Sequence, residues 1–65
     1  HFSVNEHRII EEMMLGNNID DISNNLNITI STVRYHKNNI FKKAGVKNTV
    51  EFIYQMNNTP EIILR

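Results

Sequence analysis

The stretch NIDDISNNLNITISTVRYHKNNIFKKAG, residues 18–45, decides the fold. It holds two helical patterns with almost nothing between them. Asn18 can cap the first, with Asp20 and Asp21 in its opening turn, where the positive end of the helix dipole favours acids. Ile19, Ile22 and Leu26 give that helix one apolar face, and it ends near Asn27, a residue type that tolerates the left-handed backbone of a tight turn. Thr29 then caps the second pattern. Its inner face is Val33, Ile40, Phe41 and Ala44, with His36 beside them, and Gly45 closes it. Two helices joined by two or three residues must turn sharply, which is the helix-turn-helix arrangement.

Outward from this pair, one helix precedes and one follows. Ser3 and Glu6 fit a capping box, and Ile9, Ile10, Met13 and Met14 form an apolar stripe that Gly16 ends. On the other side Asn48 or Thr49 opens a last helix with Phe52, Ile53 and Met56 as its apolar positions. Asn57-Asn58-Thr59-Pro60 reads as its end, because proline lacks the N–H that a helix interior needs. The expectation is an all-α chain: a compact four-helix helix-turn-helix domain with helices at about 4–15, 19–26, 30–44 and 49–57 and a short tail over 58–65. The 65 residues suit a single small domain, and the role of the tail Glu61–Arg65 is open.

Charge points to a partner. The formal net charge is zero, yet five of the seven Lys and Arg residues lie between Thr29 and Asn48, a span without Asp or Glu. With Val33, Ile40 and Ala44 inward, Ser31, Arg34, Tyr35, Asn38 and Lys42 fall on the opposite face of the third helix. In a helix-turn-helix the second helix of the pair enters the major groove of double-stranded DNA. Arg and Asn suit bidentate contacts to guanine and adenine, so Ser31, Arg34, Tyr35 and Asn38 are the base-reading candidates. Thr29, Thr32, His36, Lys37, Lys42, Lys43 and Lys47 suit phosphates, which set register without reading sequence. Glu11, Glu12, Asp20 and Asp21 read as a solvated face away from DNA, with RNA polymerase as the alternative partner.

Other chemistries lack their residues. There is no cysteine, so disulfides and thiolate metal sites are excluded. His1, His7 and His36 offer no zinc-ligand spacing, and nothing sets Ser31, His36 and Asp20 together as a nucleophile with its base. The expectation is no enzyme, no cofactor and no metal. No apolar run approaches the roughly 18 residues of a membrane span, and composition suits the cytoplasm, at the nucleoid.

The residues also carry a resemblance. Thr32-Val33-x-x-His36-x-x-Asn39-Ile40-x-x-Lys43, then Gly45-Val46-x-Asn48, with Glu6, Gly16, Ile22 and Leu26 in support, resembles the LuxR/GerE-type C-terminal DNA-binding domain of bacterial transcription regulators, a family that includes response regulators. The likeness runs from Phe2 to about Ile53. It implies a four-helix domain that binds promoter DNA as a homodimer, with the fourth helix as the dimer contact; Thr49, Val50, Ile53 and Tyr54 are the candidates there. By position it places Arg34, Tyr35 and Asn38 on bases and Thr32, Lys37 and Lys43 on the backbone. Four positions depart from the family's habit. Ser23 stands where Ala is usual, and its hydroxyl is expected to bond the carbonyl four residues back. Ala44 stands for Leu, leaving space for Phe41 or Met56, and Asn5 and Thr49 each stand for Arg. The rival readings are a helix-turn-helix module used for protein–protein contact and a sigma-factor-like promoter module. The sequence leaves open the target site, the sign of regulation and any preceding regulatory domain.

Overall fold

The computed structural model describes the backbone of residues 1–64 and the side chains of residues 1–57. Four helices follow one another: α1 Val4–Met14, α2 Ile19–Leu26, α3 Ile30–Ala44 and α4 Thr49–Leu64. α1 and α3 pack against each other and against both remaining helices, while among the described residues α2 and α4 do not meet. α2 and α3 with their short turn form the expected helix-turn-helix.

Local hydrogen bonds start each helix. Ser3 Oγ accepts from Glu6 N at 3.1 Å and Glu6 Oε1 accepts from Ser3 N at 2.8 Å, the reciprocal box expected for α1. Asn18 and Asp21 repeat the device at α2. Thr29 Oγ1 accepts from Thr32 N at α3, and Asn48, not Thr49, caps α4 by accepting from Glu51 N.

The three turns share one ending. Gly16, Asn27 and Gly45 all have positive φ, at 86°, 57° and 74°. In each case the next residue donates its N–H to the carbonyl five residues before it: Asn17 to Glu12, Ile28 to Ser23, Val46 to Phe41. This is the Schellman closure, which satisfies carbonyls left over at a helix end and needs a left-handed residue at its hinge. Ile28 and Val46, the residues just past two of these hinges, pack on the core.

Ile9, Ile10, Met13, Ile22, Val33, Ile40 and Phe52 are buried and form that core. Two methionines expected inside are not. Met14 is 41% and Met56 36% exposed. Neighbouring helical residues point about 100° apart, and Met14 lies one step past Met13, at the edge of the α1 stripe that Ile9, Ile10 and Met13 bury. Phe41 packs on the core, its ring 6.2 Å from that of Phe52, as does the small Ala44.

Two further expectations are corrected. Ser23 Oγ donates forward across the turn to the carbonyl of Ile28 at 2.5 Å, not back along α2. Ile28 N in turn donates to the Ser23 carbonyl at 3.1 Å, so one residue pair closes the turn in both directions. The fourth helix runs to Leu64 rather than ending near Asn57. Proline lacks the N–H and its ring crowds the carbonyl four residues back, but its fixed φ is itself helical, and the backbone keeps the helical path through Pro60. The side chains of the tail Glu61–Arg65 lie outside the described residues.

Candidate nucleic-acid interface

Val33 and Ile40, both fully buried, fix which way α3 is rotated. Ser31, Arg34, Tyr35, Asn38 and Lys42 are consequently all exposed, on the far side from the core. They form a ridge holding a guanidinium, a phenol, an amide, a hydroxyl and an ammonium. Tyr35 is steadied by an edge contact to the His36 ring, with centroids 5.5 Å apart.

A cleft lies on each flank of the ridge. One is lined by Ile19, Arg34, Lys37, Asn38 and Phe41. Lys37 is half-buried there, its ammonium 5.8 Å from the centre of the Phe41 ring, and burial pushes its pKa below the ordinary lysine value. The other cleft lies between α3 and α1 and includes Thr32 and His36, both half-buried. Thr29 is exposed, and its hydroxyl also meets that of Thr32 at 2.9 Å. The Lys47 side chain is exposed, while its backbone N–H donates to Glu51 Oε1.

Lys43 behaves differently from the other phosphate candidates. Its Nζ donates to Glu6 Oε1 at 2.7 Å, and the Glu6 side chain is only 6% exposed. The ammonium also lies 5.9 Å from the Phe2 ring centre. Sequence reading assigned Glu6 to the cap and Lys43 to the flank; the fold joins them across 37 residues. The Lys43 hydrogen bond, followed by that from Ser3 N, holds the Glu6 carboxyl below its ordinary pKa. Glu12 is likewise held low, by amide donors from Asn25 and then Asn17, each at 2.8 Å to Oε1. Of the acidic face read from sequence, Glu12 therefore bridges α1, the following turn and α2, and Glu11 and Asp20 are exposed.

On α4, Thr49 and Ile53 are half-buried, whereas Val50 is 78% and Tyr54 70% exposed. Gln55 Nε2 donates to the carbonyl of Ala44, tying α4 to the end of α3. Among the described residues no group of three His, Cys, Asp or Glu side chains could hold a metal ion, and no helix is long and apolar enough to cross a membrane.

Comparison with known proteins agrees with this geometry. Residues 1–56 match the family described as bacterial regulatory proteins, luxR family. No curated protein and no solved structure matches significantly. The matched residues include all of α1, α2 and α3 and the first half of α4, so the whole helix-turn-helix and its exposed ridge lie within the match. The family is one of DNA-binding regulatory domains, not of enzymes. The chain belongs to the luxR family of bacterial regulatory proteins and carries its DNA-binding helix-turn-helix, the part that acts in transcription regulation.

Proposed function

We propose that the domain recognises promoter DNA by laying α3 in the major groove. Ser31, Arg34, Tyr35 and Asn38 read base edges. Arg34 suits guanine O6 and N7, and Asn38 suits adenine N6 and N7. Thr29, Thr32, His36, Lys37, Lys42 and Lys47 meet phosphates on either side, releasing counterions and setting register. Lys43, engaged with Glu6, holds α1 on α3 and so fixes the platform beneath the ridge. Two copies pair on neighbouring half-sites through Thr49, Val50, Ile53 and Tyr54 of α4. The setting is the bacterial cytoplasm, at the nucleoid.

The observation that carries this reading is the ridge itself. Five polar or aromatic side chains project together from one helix, on the side opposite fully buried Val33 and Ile40. A module built for protein contact would show apolar or acidic residues there. The test is selection of bound duplexes from a random pool, followed by Arg34→Ala. The variant should lose roughly 1–3 kcal/mol on the selected site and relax preference at one base position. Equal losses on selected and scrambled duplexes would remove Arg34 from base reading.

A further inference from the structure

The flank of α3 that faces α1 is poor in free charge. Thr32, His36, Asn39 and Lys43 recur there at spacings of four, three and four, which places them in one stripe along the helix. Lys43 is the Lys or Arg of that stripe, and Glu6 occupies it. The opposite flank has Arg34 and Lys37 in its cleft. A helix about 10–12 Å across fills a major groove about 12 Å wide, so phosphates stand close to both flanks. On the α1 side the charge to meet them must come from another element.

Arg8 is placed for it. It is exposed, and among the described residues it has no ion-pair partner. With Asn5, one helical turn earlier, it lines a cleft of about 120 Å³ together with Thr32 and His36 of α3 and the apolar Ile9, Leu26 and Ile28. The volume is well below the roughly 300–1,000 Å³ of pockets that enclose drug-sized ligands. The lining pairs a guanidinium with neutral donors from an amide and a hydroxyl, a set suited to a small oxyanion. Arginine's planar fork presents parallel N–H groups to two phosphate oxygens, a geometry that lysine lacks.

We infer that this cleft seats one phosphodiester of the bound duplex and that Arg8 is its principal ligand. α1 thus supplies the charge that α3, with Lys43 engaged, does not supply on this side. The inference rests on α3 being the groove helix, and it adds a DNA contact from outside the helix-turn-helix pair.

The experiment measures binding of the domain to a pool-selected duplex and to a scrambled one between 50 and 200 mM salt. Arg8→Ala should weaken both duplexes alike and lower the slope of log K against log salt by about 0.9, the value of one phosphate on B-DNA. Arg8→Lys should recover most of that slope. A duplex made neutral by methylphosphonate at the seated phosphate should bind wild type and Arg8→Ala equally. An unchanged slope for an Arg8→Ala protein that melts like wild type would overturn the inference and leave the α3 reading intact. Absence of DNA binding by the wild type would overturn both. Saturable binding of inorganic phosphate at Arg8, with no Arg8 effect on the duplex, would assign the cleft to a free anion and also overturn the inference.

Discussion

Lys42→Ala and Lys43→Ala remove the same charge from adjacent positions in the last turn of α3, and the structure separates their consequences. Lys42 is exposed on the outward ridge. One phosphate contact contributes about 0.9 to the salt slope on B-DNA. Between 50 and 200 mM, a fourfold change, that contact amounts to roughly a 3- to 4-fold change in affinity. Lys42→Ala should lower the slope by about this 0.9 and leave the melting temperature nearly unchanged. Lys43 instead lies 2.7 Å from a Glu6 carboxylate whose side chain is 6% exposed. Truncation leaves that carboxylate with the Ser3 N–H as its remaining donor and strands charge between α1 and α3. Lys43→Ala should therefore lower the melting temperature and change the salt slope little. Adding Glu6→Gln should restore part of the lost stability, because the stranded charge goes with it. Fluorescence anisotropy across four salt concentrations reads the slopes, and circular-dichroism melts read the stability. A slope loss near 0.9 for Lys43→Ala, with unchanged melting, would show that its ammonium reaches DNA rather than Glu6 and would refute the reasoning.

Ser23→Ala should cost about 0.5–1.5 kcal/mol in urea denaturation, the net value of a typical hydrogen bond, since it deletes the donation to the Ile28 carbonyl. An unchanged midpoint would show that the carbonyl is satisfied without it. Glu6 and Glu12 are both held below their ordinary value of 4.5, so the stability they contribute is full above that pH and is lost as pH falls through their lower folded values. The urea midpoint should thus be flat near neutrality and drop below about pH 4.5, less steeply in Glu12→Gln; a midpoint that rises on acidification would contradict this. Val50→Lys places a charge on a side chain 78% exposed on α4, so it should abolish cooperative occupancy of a two-half-site duplex while sparing a single half-site. Retained cooperativity would remove Val50 from the dimer contact.

Features that depend on neighbours three or four residues apart were legible in the sequence. The Ser3–Glu6 box, the Thr29 cap and the hinges at Asn27 and Gly45 are local events, decided by short-range hydrogen bonds and by which residue types tolerate positive φ. The rotation of α3 followed from the same periodicity, since burying Val33 and Ile40 leaves one outward face. Features set by how helices cross were not legible. The Glu6–Lys43 pair spans 37 residues, and each partner already had a plausible local role. Ser23 had two carbonyls in range, and only the closed turn selects Ile28. Arg8 is not legible as a site residue, because nothing in its own helix points to Thr32 and His36. Two adjacent methionines on one stripe gave no hint of which lies inside until α1 was set against its neighbours.

The polar network explains how a chain of zero net charge can present a cationic surface. Carboxylates need donors, and in many proteins Lys and Arg supply them. Here neutral groups do most of that work. Glu12 takes the amides of Asn17 and Asn25, Asp21 takes the Asn18 N–H, and Glu51 takes the Lys47 N–H. Asn18 and Asn48 cap their helices in return. Among the described residues a single cation, Lys43, is ion-paired, and its acid is the buried one. Arg8, Arg34, Lys37, Lys42 and Lys47 are not ion-paired there, and four of these five lie on or just after α3. The side chains of Asn17, Asn18, Asn25 and Asn48 thus satisfy an acid or a helix end without spending positive charge. Neutrality arises because acids and bases balance over the whole chain, but a polyanion meets one face at a time. Within a Debye length of about 8–10 Å at ordinary salt, it is the face, not the sum, that sets the attraction.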